Sequence, residues 1–190
     1  DEVRTLANEH YGVIPANPEI DARARPSEPP QLAERRLVLE DPRVGQPYVA
    51  RSYIAPERDS GAQEKAAAQT MLSEVLGGGP TALLEEKLQF VTLEEAEVAM
   101  DQVIADFMVN GVPEGALDRI KRQVRASEIY ARDSISSLAN KYGRALTTSL
   151  TVEDVQAWPD VLQAVTEEDV MAAAREIFEP RNSVTGYLKS

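Results

Sequence analysis

Apolar residues recur at helical spacing over most of the second half of the chain. The clearest stripe follows Thr92 and Glu95, a pair spaced as a capping box at a helix start. Its apolar positions are Leu93, Ala96, Met100, Val103, Ile104, Phe107 and Met108. The spacing predicts helices over 1–11, 61–76, 81–88, 93–110, 113–132, 134–146 and 167–178. Thr151 and Thr166 each precede an acidic residue by three positions, which indicates two further helix starts.

Three short segments are rich in β-branched and aromatic residues and alternate in polarity. They cover residues 35–40, 46–55 and 183–188, and turn-forming residues lie beside them. Strands followed by helices and a last strand are typical of an α+β fold. We therefore predict an antiparallel sheet covered on one face by helices.

Prolines divide the chain near its start. Five of them fall within residues 15–30, a stretch with few large apolar side chains. Because proline fixes φ and lacks an N–H donor, this composition predicts an extended linker. We place the linker at 15–34, the end of a preceding domain at 1–14, and a second domain at 35–190.

Composition excludes several classes of function. The chain has 190 residues, a net charge of −12 and no cysteine, so it offers no disulfide or thiolate metal site. Acidic residues outnumber basic ones by 32 to 20, which argues against nucleic-acid binding despite a cluster of Arg119, Lys121, Arg122 and Arg125. No stretch has the apolar length of a membrane span.

Several segments, in order, resemble the pitrilysin/insulinase family of zinc metallopeptidases, particularly its small bacterial members. They are VRTLANEHYGVIP, RRLVLEDPRVGQPYVARSYIAP, MLSEVLGGGPTALLEEKL, the stretch from Gly111 to Leu146, VEDVQAWPDVLQAVTEEDVMAAAREIF and NSVTGYL. The resemblance implies an α+β repeat, two of which enclose a peptide-binding chamber. It also implies that only the first repeat carries zinc, in an inverted HxxEH helix with a distal glutamate.

No catalytic or metal-binding residue is assigned in this chain. Its single histidine, His10, follows Glu9, but Leu6 occupies the place of the first histidine of HxxEH. We interpret His10 as a surface residue at a helix end. The acidic runs Glu94–Glu95 and Glu167–Asp169 could suggest metal ligands, but they open predicted helices, where carboxylates favour the positive end of the helix dipole. The run Gly77–Gly79 lacks the lysine of a phosphate loop and predicts a helix stop.

The chain departs from the resembled family between Leu88 and Thr92. Relatives have strands there, so we predict that an internal segment is missing at the Phe90–Val91 join. The arginine and tyrosine that hold substrate in relatives would fall inside it, and the substrate-binding residues are left unknown. Tyr130 and Tyr142 are interpreted as half-buried packing residues, and Arg132 is not assigned.

Two functions remain open at this point. The first is a non-catalytic domain that helps to form a peptide-binding chamber and orients substrate toward zinc on another domain or subunit. The second is an inactive scaffold or interaction subunit of the same fold. The expected partners are an N-terminal catalytic repeat or a partner subunit, and a peptide substrate. A homodimer or heterodimer and either bacterial compartment, periplasm or cytoplasm, are compatible with the sequence.

Overall fold

The computed structural model describes residues 2–15, 17–19, 29–79, 82–88, 91–131 and 133–190. The chain divides into two units, Asp1–Pro30 and Gln31–Ser190. In the first unit, helix α1 spans Glu2–Tyr11 and buries none of its residues. His10 lies exposed in its last turn, as predicted. The predicted linker falls partly on residues outside those that the structure describes.

The second unit contains a sheet of three strands in the described residues. Strands β1 (Arg35–Glu40), β2 (Tyr48–Tyr53) and β3 (Ser183–Lys189) lie in the order β1-β3-β2. The predicted α+β class is confirmed, but the sheet is mixed, because β1 runs parallel to β3 and only β2 runs antiparallel to it. A parallel pair needs a long crossover, and the helices between β1 and β3 provide it.

Helices fill the chain between the second and third strands. They are α2 (Glu64–Gly77), α3 (Leu83–Leu88), α4 (Leu93–Asn110), α5 (Ala116–Ala131), α6 (Ile135–Thr147), α7 (Val152–Ala164) and α8 (Glu167–Ile177). Thr92, Thr151 and Thr166 form reciprocal capping boxes, which confirms all three predicted helix starts. Helix α2 ends within the glycine run, also as predicted.

The core lies between α2 and the helices packed around it. Met71 of α2, Phe107 of α4 and Val170 of α8 are each at most 2% exposed. The same buried cluster includes Ile120 of α5 and Leu162 of α7. The apolar stripe of α4 therefore reaches the core at one end, while the other end of this helix contacts β2.

The sequence favours Asp133 as the cap of the helix that follows it and predicts a helix interrupted at Pro159. The structure differs from both predictions. Ser134, not Asp133, caps α6, because the Ser134 hydroxyl accepts a hydrogen bond from the Ser137 N–H. Helix α7 continues through Pro159 instead of being interrupted there. Val155 and Leu162 are buried on either side of this proline, and their packing outweighs the backbone hydrogen bond that proline cannot donate. Trp158 packs partly buried against the Arg58 guanidinium, 3.8 Å from the ring centre.

Candidate functional site

The inner face of the sheet carries a row of polar side chains beneath α4. The register aligns Arg36 of β1, Thr185 of β3 and Arg51 of β2 across the three strands. Strand residues alternate between faces, and in β2 Val49, Arg51 and Tyr53 are the partly buried ones. They therefore face the helices, whereas Tyr48, Ala50 and Ser52 face outward.

Glu97 of α4 forms hydrogen bonds with side chains of all three strands. Its carboxylate accepts two hydrogen bonds from the Arg36 guanidinium, at 2.8 and 2.6 Å, and one from Arg51 Nη2 at 2.5 Å. A fourth comes from the Tyr187 hydroxyl. The Arg51 side chain is only 8% exposed, and it also bonds Asp101 and, at 2.9 Å, the Thr185 hydroxyl. Each strand of the sheet is thus linked through side chains to one carboxylate of α4.

This arrangement keeps Glu97 ionised. The hydrogen bonds from Arg36 lower its pKa to about 2, against the opposing effect of burial, and the bond from Tyr187 acts in the same direction. The same contact raises the pKa of the Tyr187 hydroxyl. A general acid or base needs a pKa near the working pH, and all four donors already occupy this carboxylate. Glu97 is therefore suited to holding the sheet on α4 and not to proton transfer.

We expect the free energy of unfolding below about pH 5 to depend on the ionisation of the Glu97 carboxylate. A lowered native pKa stabilises the fold above the ordinary value of 4.5, and the contribution is lost as the pH falls toward about 2. Allowing for solvent screening, we expect this loss to be about 1–2 kcal/mol in the free energy of unfolding. Urea titrations at a series of pH values should show it in the natural chain and not in Glu97→Gln. Equal acid sensitivity of both proteins would contradict the assignment.

An apolar groove lies between β2, an edge strand of the sheet, and the helices. It is a cavity of about 310 Å³ between β2 and helices α2, α3, α4 and α8. Its apolar lining comprises Leu72, Leu76, Leu84, Met100, Ile104, Ile177 and Phe178. Tyr53 packs edge-on against Phe178, with ring centres 5.1 Å apart. A second cavity, of about 300 Å³, adjoins the groove at Arg51 and Tyr53 and holds Glu34, Arg36 and Asp101.

The hydrogen-bond pattern of β2 defines which of its backbone groups lie on the outer edge of the sheet. The Ile54 N–H donates to the Asn182 carbonyl at 3.0 Å. Hydrogen-bonded pairs alternate along an antiparallel ladder, so Val49, Arg51 and Tyr53 turn their N–H and C=O groups to the outer edge. No strand among the described residues pairs with that edge. The edge is thus a template for one more strand.

A second polar network holds the segment after β2. Asp154 accepts hydrogen bonds from Ser60 Oγ at 2.6 Å, from the Gly61 N–H at 3.1 Å and from its own capping partner, Thr151. The Ser60 and backbone bonds lower the pKa of Asp154 well below its usual range. Arg58 bonds the Asp154 carbonyl and the side chain of Gln63. This network anchors the loop that leads from β2 into α2.

The residues weighed from sequence do not gather into one site. Tyr130 is 75% exposed, so the prediction of a half-buried residue is wrong there, while Tyr142 is partly buried. Arg132, Gln89 and Phe90 lie outside the described residues. The Glu95 and Asp169 carboxylates cap their helices. In the described ranges, no three His, Cys, Asp or Glu side chains are grouped as metal ligands, and no helix is long and apolar enough to cross a bilayer.

Sequence reasoning missed Glu97, Arg36 and Arg51. A signal was present, because Glu97 falls within the apolar stripe of α4, four residues after Leu93 and three before Met100. Glutamate is almost never buried unless it is paired. Its position in the stripe therefore predicts a buried basic partner, although the stripe does not identify that partner.

Known proteins share both sequence features and fold with this chain. Residues 1–90 match the family model of the peptidase M16 inactive domain. A protease from Helicobacter pylori has a TM-score of 0.85 at 19% identity, and the match covers 100% of this chain and 52% of that protein. A peptidase M16 inactive domain from Pseudomonas fluorescens has a TM-score of 0.71 at 19% identity over 90% of this chain and 47% of that one.

A larger protein shows the same fold in part of its length. The periplasmic protease PqqL from Escherichia coli has a TM-score of 0.63 at 16% identity, covering 100% of this chain and 24% of PqqL. This chain thus spans about half the length of the first two structures and about a quarter of PqqL. No curated protein sequence matches it. Residues 1–90 thus match the peptidase M16 inactive domain, and the whole chain shares its fold with the protease from Helicobacter pylori.

Proposed function

We propose that this domain binds an extended polypeptide along the outer edge of β2 and holds it for cleavage by a catalytic repeat on another domain or subunit. The observation that carries the proposal is a strand edge that pairs with no strand of the described residues and belongs to a strand that lines an apolar groove. Strand addition gains affinity from backbone hydrogen bonds and specificity from pockets for alternate side chains. Val49, Arg51 and Tyr53 would supply the backbone groups, and the groove would supply the pockets.

The rigidity of the sheet supports this role. Glu97 and its three partners hold β1, β2 and β3 against α4, so an added strand would dock on a fixed edge. Preorganisation of this kind lowers the entropy cost of binding. The zinc implied by the family would be held elsewhere, on the catalytic repeat, where it would polarise the scissile carbonyl and activate water. The part of this chain would be to position the peptide.

Backbone methylation of a bound peptide tests strand addition. We expect a fluorescein-labelled octapeptide of alternating leucine and threonine to bind the 190-residue chain without being cleaved. N-methylation of the amides on one edge of the peptide removes the donors that would meet β2, and we expect affinity to fall about tenfold or more. The same peptide methylated on the opposite edge is the matched control. Equal affinity of the two methylated peptides, measured by fluorescence anisotropy, would overturn the proposal.

The open face of the sheet favours a second candidate, an inactive scaffold or interaction subunit. Leu37, Leu39 and Tyr48 are each more than half exposed on the sheet face that points away from α4. Exposed apolar patches of this kind mark protein contacts. Purification of the native complex distinguishes the two candidates. A partner or parent polypeptide with HxxEH supports the peptidase role, and a stable complex without that motif supports the scaffold.

A further inference from the structure

We infer that the β2 groove selects extended peptides with two apolar side chains at alternate positions and a basic residue at the Asp101 end. The inference rests on the proposed function and adds the class of peptide. Side chains of an added strand that lie two residues apart point to the same face, about 7 Å from each other. Those on the Arg51 and Tyr53 face would enter the groove.

The volume and lining of the groove set the size and polarity of these side chains. An apolar cavity of roughly 150 Å³ holds one benzene ring, so the groove, at about 310 Å³, has room for two large apolar side chains. Among the described residues of its lining, Arg51 alone is charged, and its guanidinium is already bonded to Glu97 and Asp101. A charged peptide side chain would lose its water without gaining a partner, which excludes it from the groove.

The charges next to the groove favour a basic peptide residue there. In the adjoining cluster, the ion pairs of the described residues join the carboxylates of Glu34, Glu97 and Asp101 to two guanidinium groups, those of Arg36 and Arg51. Asp101 is the more accessible end of this cluster, with its side chain 57% exposed. The whole chain is also acidic, at −12. A lysine or arginine of the peptide is therefore the complementary residue beside Asp101.

A second copy of this chain fits the edge poorly. Fully overlapped antiparallel pairing of two β2 edges joins the outward residues Val49, Arg51 and Tyr53 to their counterparts. This register is centred on Arg51, so the two copies would place Arg51 opposite Arg51. Like charges directly opposite each other destabilise a strand pair. The edge and groove thus favour a peptide of different sequence.

A set of three octapeptides tests the inference on the 190-residue chain. The first alternates leucine and threonine between terminal lysines (KLTLTLTK), the second regroups the same residues so that no two leucines lie two positions apart (KLLTTLTK), and the third replaces the lysines of the first by glutamates. We expect the grouped peptide to bind about tenfold more weakly, since it can place only one leucine in the groove. We expect the glutamate peptide to bind several-fold more weakly at low salt, with the difference shrinking at high salt.

Variants of α4 and α3 locate the site. We expect Ile104→Asp and Leu84→Asp, both in the groove, to reduce affinity for the alternating peptide at least tenfold. Val109→Asp, on the same helix but 84% exposed, should bind as the natural chain does. Circular dichroism checks that each variant is folded. The peptide series uses only the natural chain, so it tests the inference even if a variant fails to fold.

The outcomes separate the two proposals. If grouped and alternating peptides bind equally while one-edge methylation still weakens binding, the side-chain selection is overturned and strand addition stands. If methylation has no effect either, both are overturned. Equal binding of lysine and glutamate peptides at low salt overturns the basic preference alone.

Discussion

Replacement of Glu97 by alanine should lower the free energy of unfolding by about 2–3 kcal/mol. Removing one member of a buried ion pair leaves the other charge without compensation and costs about 3–5 kcal/mol when both are fully buried. Here Arg51 is 8% exposed and would keep Asp101, while Arg36 is 53% exposed and can turn to water. These two facts place the expected loss below that range. Urea denaturation followed by circular dichroism measures it.

Asp101→Ala is the matched control for this variant. It removes a carboxylate from the same helix and the same arginine, but its side chain is 57% exposed. Exposed ion pairs contribute about 0–1 kcal/mol, so the Asp101 variant should be only slightly destabilised. Equal losses in the two variants would show that Glu97 does not hold the sheet on α4. The Glu97 variant should also bind the octapeptides less tightly, because the edge of β2 would be less firmly held.

Phe107→Ala should have the largest effect on stability, about 3–5 kcal/mol. The Phe107 ring is 2% exposed and belongs to the buried cluster that joins α2, α5, α7 and α8 to α4. Truncation removes apolar contacts and leaves a cavity that the surrounding helices can fill only in part. Val109→Ala, two residues further along α4 and 84% exposed, should change stability by no more than about 0.5 kcal/mol. A similar loss in both variants would contradict the placement of α4.

Glu97 and Phe107 of α4 should contribute independently to the free energy of unfolding. Glu97 and Phe107 are ten residues apart, or about 15 Å along a helix, and they contact different layers. Substitutions at such a distance are usually additive within about 0.5 kcal/mol. The double variant should therefore lose the sum of the two single losses. A strongly smaller loss would mean that releasing the sheet already frees the helix from the core.

Helix starts could be predicted because their signals are local. Thr92, Thr151 and Thr166 each have an acidic residue three positions on, and both partners of a capping box lie within one turn. The choice between Asp133 and Ser134 failed because both residues can cap a helix. Which of them does so depends on the residue at which α6 begins, and the local sequence does not distinguish these two neighbouring positions.

Strand pairing and the ionic cluster depend on distant residues. Arg36 and Glu97 are 61 positions apart, and Arg51 and Thr185 are 134 apart. No spacing rule connects such positions. The place of Glu97 in the α4 stripe therefore predicts a basic partner without showing which residue it is. The prediction of an antiparallel sheet was right for β2 and wrong for β1, because a strand has the same alternation whichever way its neighbour runs.

The periodicity and caps of this chain were sufficient for its α+β class, its helices and the positions of its strands, since these follow from contacts within a few residues. The same residues, read in order, suggested the family and the lack of a zinc motif. Strand order, the linkage of Arg36 and Arg51 through Glu97, and the groove beside β2 came from folding. They arise because burial favours one packing of whole elements, and that packing brings together side chains that the sequence separates.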